Sequence, residues 1–185
     1  MNAPKMLEDL NGPASEKEIE QLELVLGLNL PASFRETLKI HNGESDGWPC
    51  KVFADRGAFL GTDRIQEEWQ QRQTISADIA EEFEVDQIKQ LIEDGIIFVE
   101  GSVKPVLFQN AWIPIMDSNG DVFWALDYSP TEGGISGQVI EVDWEGTLWR
   151  VVAPSFEAFM QSYMQSLERG EYQIVDGLPT KETSF

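Results

Sequence analysis

The chain holds one cysteine and one histidine among 185 residues, and that scarcity removes much of protein chemistry at the outset. A lone Cys50 closes no internal disulfide and suits a reducing compartment better than a secreted framework. Catalysis that pairs a Ser or Cys nucleophile with a His base has only His41 to draw on, and the common zinc sites need several such ligands. His41 stands at the end of a helical pattern just before Asn42-Gly43, where a cationic ring suits the negative helix terminus. No Gly-Lys-Ser/Thr phosphate cradle is present, and Gly133, Gly134 and Gly137 lead into a strand pattern rather than a helix. No apolar run approaches the ~20 residues of a membrane-spanning helix. The opening MNAPKMLEDLNG lacks the charged-then-apolar order of a secretion signal, so the cytoplasm is the expected location.

Positive charge is also scarce. Thirteen bases face 33 acids, a net charge of −20. Nucleic acid and anionic membrane would be repelled and are not expected partners, whereas a basic protein surface would be attracted. The acids concentrate between Gln66 and Glu100, where ten of them face only Arg72 and Lys89. On a helix such density either marks a solvated face or serves as an anionic docking surface that steers encounter.

What is present reads as one domain over residues 15–170, with a tail at 1–14 and a polar, frayed tail at 171–185. Ser15-x-x-Glu18 is a capping box, followed by Ile19, Leu22 and Leu26 at helical spacing, with Glu16, Glu20 and Glu23 toward water and Gly27 as the stop. A second helix from Pro31 turns Phe34 and Leu38 inward. Arg64–Gln73 and Ser76–Asp94 read as two further helices. Strand patterns then run over 96–99, 103–108, 112–116, 122–126, 138–142 and 148–153, with Asn119-Gly120 as a two-residue type I′ turn. Ser155 caps a last helix that buries Phe156, Phe159, Met160, Tyr163 and Leu167. The expected fold class is α+β: an antiparallel or mixed sheet of about six strands, with helices covering one face.

Trp112, Pro114, Gly120-Asp121, Leu126-Asp127, Pro130 and Gly137 to Ile140 form a spaced block that resembles the SUKH superfamily, whose namesakes are the fungal Smi-one and Knr-four cell-wall regulators. Leu30-Pro31 with His41-Asn42-Gly43, and Val151 to Phe156 with Phe159, are similar to two further blocks of that family in the same order. The resemblance implies a binding domain without catalytic, cofactor or metal residues. In its bacterial form it implies an immunity protein that neutralises a polymorphic or contact-dependent toxin by occluding a basic, often nuclease, effector domain. The alternative is an intracellular regulatory scaffold of the cell-wall or signalling type. The fungal proteins carry long disordered extensions that this chain lacks, which turns expectation toward the immunity type, with a monomer as the default state.

Candidate partner-binding residues are Glu81, Glu82, Glu84 and Asp86 in the acidic middle, Trp69 as an aromatic anchor, and Asp127 and Glu132 in the loop after the hairpin. Trp112 and Trp124 fall in strand patterns and are expected in the core, whereas Trp48, Trp144 and Trp149 are less constrained. Asp117, Asn119, Gly120 and Asp121 look superficially like a calcium loop, but the glycine falls fourth rather than sixth and sits in a hairpin. A carboxylate-dependent carbohydrate enzyme is the remote alternative, and it needs two suitably spaced acids in a closed cleft.

Overall fold

The computed structural model describes residues 7–45, 52–53, 56–80, 85–175 and 178–181. Two helices, α1 (Glu16–Leu26) and α2 (Ala32–Ile40), open the domain. The capping box forms as its sequence requires: Ser15 Oγ accepts from Glu18 N at 3.3 Å and Glu18 Oε2 accepts from Ser15 N at 2.7 Å. Gly27 closes α1 in the left-handed conformation, φ 70°. Glu23 does not face water as its helical spacing suggests. Its carboxylate is largely covered, accepting from Leu30 N at 2.7 Å and from Arg35, and so ties α1 to α2.

The sheet has six strands: β1 (Ala58–Phe59), β2 (Phe98–Glu100), β3 (Trp112–Ser118), β4 (Val122–Asp127), β5 (Gln138–Asp143) and β6 (Leu148–Ala153). Their order is β1-β3-β4-β5-β6-β2, all pairs antiparallel except β2 with β6, which is parallel. Between β1 and β2 lie α3 (Thr62–Ala80) and α4 (Val85–Glu93), and α5 (Phe156–Glu168) follows β6. The fold is therefore α+β with a mixed sheet.

Both faces of that sheet are buried, not one. Along β4, Phe123 and Ala125 join one core while Trp124 and Leu126 join the other, as strand alternation demands. The first core collects Ile19, Leu22, Phe34, Leu38, Phe156 and Phe159 from α1, α2 and α5. The second is covered by Ile88, Leu91 and Ile92 of α4 and by Val103, Val106 and Phe108 of the segment before β3. A bulge between Pro114 and Met116 puts both Ile115 and Met116 into the first core.

Several local expectations are corrected here. The stretch 103–108 is not a strand. Its carbonyls are capped by side chains instead: Trp149 Nε1 donates to Val106 O at 2.8 Å, Trp144 Nε1 to Leu107 O at 3.3 Å and Ser76 Oγ to Phe108 O at 3.4 Å. The helix expected to stop at Gln73 runs on to Ala80, since neither Gly nor Pro interrupts it, so the expected Ser76–Asp94 helix is divided between the end of α3 and α4. Asn119 and Gly120 have φ of 56° and 81°, as a type I′ turn requires, but Ser118 pairs with Val122, so the loop spans three residues rather than two. The C-terminal stretch is not frayed throughout: β7 (Tyr172–Val175) pairs with β8 (Leu178–Lys181), and Tyr172 is buried edge-on against Tyr163 at 5.4 Å. Residues 9–14 are bound as well, with Ala14 N donating to Leu38 O at 2.8 Å and Asn11 N to Gly43 O at 3.0 Å.

Candidate binding surface

The motif His41-Asn42-Gly43 proves to be a structural clasp. Asn42 Oδ1 accepts from Thr62 N at 2.8 Å and so caps α3, while Asn42 Nδ2 donates to Thr62 Oγ1 at 3.2 Å. Gly43, at φ 77°, lies directly against Gly61, and a Cβ on it would stand 2.2 Å from Gly61 N. Glu44 continues the clasp, its N donating to Phe59 O at 2.8 Å. His41 caps α2, and its Nδ1 lies 3.1 Å from Asn11 O. These residues join the first helical pair to β1 and α3.

Arg72 is the most enclosed cation among the described residues, 2% exposed. Its guanidinium donates to Gly120 O at 3.0 Å and to Asp117, and lies 4.0 Å over the Phe123 ring and 5.3 Å over Trp144. Burial lowers the Arg72 pKa and raises that of Asp117, with their mutual attraction opposing both shifts. Asp117 also accepts from Gly120 N at 3.2 Å, so the pair fixes the β3–β4 hairpin tip to α3.

Asp127, expected at the partner surface, is fully buried. Burial raises its pKa, and hydrogen bonds from Ser129 N at 2.9 Å and Gln138 Nε2 at 3.1 Å act against the rise. Its role is to shape the 128–137 loop. Asp117 and Asp127 lie at opposite ends of the β3–β4 hairpin, about 17 Å apart along the strand. That exceeds the spacing of a glycosidase carboxylate pair.

Trp69 is not a free anchor either. It is half-buried between the two cores, and its Nε1 donates to Asn110 O at 3.0 Å. Trp112, Trp124 and Trp149 are buried and Trp144 is half-buried, so no aromatic sugar platform forms among them. Trp48, Glu81, Glu82 and Glu84 lie outside the described residues, and of Asp86 only its place in α4 is described. Glu132 is exposed on the loop between β4 and β5.

One surface that residue spacing did not single out combines apolar exposure with acid. Ile96 and Phe98, 50% and 55% exposed, lie at the start of β2, which ends the sheet. Exposed Glu93 and Asp94 precede them, Glu100 follows, and Glu145 sits on the β5–β6 turn, whose Thr147 donates to Ile96 O at 2.5 Å. Beyond Glu100, β6 runs on for Val151–Ala153 without β2 beside it. There a notch of about 350 Å³ opens among Gly101, Ser102, Gly134, Ile135, Val151 and Pro154, next to Glu132. Among the described residues, no group of His, Cys, Asp or Glu is arranged to hold a metal, and no helix is long and apolar enough to cross a membrane.

A mixed sheet covered on both faces, with the motif residues holding its framework, defines an α+β domain. Residues 13–162 match the SMI1 / KNR4 family (SUKH-1), and the chain belongs to that family. It is similar to the "Glucan synthesis regulatory protein" of Neurospora crassa, 23% identical over 94% of this chain and 37% of the relative. It is also similar to the "Cell wall biosynthesis/cell cycle regulator smi1" of Schizosaccharomyces pombe, 26% identical over 87% of this chain and 32% of that protein. The "Cell wall assembly regulator SMI1" of Saccharomyces cerevisiae is 23% identical over 94% and 39%. The chain thus spans roughly a third of the length of these relatives, whose names are those of regulators rather than enzymes.

Proposed function

We propose that the chain is a non-catalytic protein-binding domain of regulatory type, docking on a partner in the cytoplasm. The observation that carries this reading is family membership over residues 13–162 together with relatives named as regulators of cell-wall assembly. These names favour the regulatory reading over the immunity reading. Geometry supports a binding role, because the enclosed carboxylates Asp117, Asp127 and Glu141 are committed to Arg72, to Gln138 and Ser129, and to Trp124 and Arg150.

The test is affinity purification of the tagged full chain from its own cells, followed by reconstitution of each recovered protein with purified chain. One partner that binds stoichiometrically and belongs to a wall-building or signalling assembly is the expected result. Turnover of a polysaccharide, peptide or nucleic acid by the purified chain, abolished by one carboxylate substitution, would overturn it. The second reading, an immunity protein, is favoured by the −20 charge, which suits a cationic enzyme as target. Its signature in the same experiment is a basic hydrolase whose activity the chain blocks.

A further inference from the structure

We infer that the open edge of β2, continued by the notch beside β6, is the docking site for an extended cationic segment of a partner protein, added to the sheet as a further strand. The inference rests on the protein-binding reading and names the surface and chemistry through which it works.

The backbone supplies the first argument. Phe98 N donates to Thr147 O at 2.9 Å, and the parallel register pairs Phe98 with Leu148 and Glu100 with Arg150. Strand groups alternate in direction, so Val99 turns its N–H and C=O away from β6, toward the side where no described strand pairs. Such an edge takes an added strand through main-chain bonds, with side-chain pockets giving selectivity. The notch opens beside β6 where β2 ends, so an occupant paired with Val99 steps inward by about one strand spacing, ~4.8 Å, to enter it; β2 and notch together run about 20 Å, the reach of some six extended residues.

Side chains supply the second argument. Phe98 and Ile96 offer apolar surface at one end, and Ile135, 56% exposed, offers it at the other. Exposed Glu93, Asp94, Glu100, Glu132 and Glu145 flank this line. The neighbouring cations are already committed: Arg150 Nη2 to Glu141 at 2.8 Å, and Lys104 Nζ to Ser129 at 2.5 Å and Gln109 at 3.3 Å. An occupant with alternating apolar and basic residues satisfies both features. A second copy of this chain does not, since it would bring the same acids and a further −20 charge to the edge.

The experiment uses the full chain and a fluorescein-labelled heptapeptide of alternating lysine and valine. Two control peptides accompany it, one with glutamate for lysine and one with proline for valine. Fluorescence anisotropy is expected to show saturable binding of the lysine-valine peptide, weakening about tenfold as salt is raised from low to molar. Neither control is expected to bind comparably. Val99→Pro removes the outward N–H, a loss an edge strand tolerates, together with the Val99 side chain that packs against the second core, and is expected to weaken binding about tenfold. Phe98→Ser leaves the backbone edge intact and should weaken it by a similar factor, so the inference stays testable if the proline variant misfolds. Amide shifts on peptide addition are expected at 96–102 and 133–135. No binding to the wild-type chain, equal binding of the lysine-proline peptide, or binding unchanged in both variants overturns the inference. In those cases the acids serve to keep the edge unpaired. Dimers of the chain that Val99→Pro dissociates would assign the edge to a second copy and overturn it too. A partner protein that binds both variants undiminished would overturn the edge assignment alone and leave the proposed function standing.

Discussion

Replacing Arg72 with methionine removes a charge from the most enclosed ion pair described while keeping most of the aliphatic volume. Asp117 is then left with Gly120 N at 3.2 Å as its remaining short contact, although its side chain is only 13% exposed. Gly120 O loses its 3.0 Å donor, and the Phe123 ring loses a cation 4.0 Å above it. Breaking a buried pair from one side costs about 3–5 kcal/mol, and the cation–π contact contributes about 1 more. The expected loss at neutral pH is about 4–6 kcal/mol, read from urea unfolding with an unchanged denaturant slope. The pH arm has a defined sign. Burial already raises the Asp117 pKa against the pull of Arg72, and without Arg72 it rises further. A raised native pKa means that the folded state takes up the proton first, so stability falls as pH rises through that pKa and returns as pH drops. The deficit of Arg72→Met should therefore shrink between neutral pH and about pH 4, the ordinary carboxylate range. Asp117→Asn in the same background should recover part of it, making the two substitutions non-additive. A deficit under about 1 kcal/mol, or one constant with pH and additive with Asp117→Asn, would refute the reasoning.

Three other outcomes follow from the same physics. Gly43→Ala places a methyl 2.2 Å from Gly61 N at φ 77°, and should cost about 3 kcal/mol or more in thermal or urea melts. Gly120→Ala meets nothing within 4 Å, so only its φ of 81° opposes the change; a loss near 1 kcal/mol is expected, and partner affinity should hold. Tyr172→Ala deletes a buried ring against Tyr163, with an expected loss of about 3 kcal/mol and new protease cleavage within 172–181; unchanged proteolysis would show that β7–β8 stands without it.

Much of the framework was legible in the amino-acid order because it depends on local physics. Ser15 with Glu18, Ser155, and Gly27 mark helix ends through bonds made within a turn of the chain. The strands β3 to β6 form a meander in which neighbours in sequence are neighbours in space. What was missed depends on distant partners. The burial of both sheet faces is written in the unbroken apolar runs Trp112 to Met116 and Phe123 to Leu126, but the order of helices and strands along the chain suggests cover on one face only. The 103–108 stretch has a strand's composition. It is drawn out of the sheet by indoles 37 and 43 residues away, a connection that periodicity does not carry. Asp127 read as a loop acid because its partner Gln138 lies eleven residues on. The edge at Phe98 was hidden because only topology makes β2 terminal.

The order of the elements along the chain also bears on synthesis. Helices α1 to α4, β1 and β2 are complete by Glu100, yet the surfaces they bury belong to strands that begin at Trp112 and finish at Ala153. At ribosomal rates of about 5–20 residues per second, the nascent first hundred residues wait several seconds with Ile19, Leu22, Phe34 and Leu38 uncovered. The meander then has to form beside waiting halves of its own core, and β1 and β2 close on its two sides from upstream rather than in the order of translation. The excess of carboxylates among the chain's first hundred residues supplies the self-repulsion that keeps neighbouring nascent chains apart during the wait.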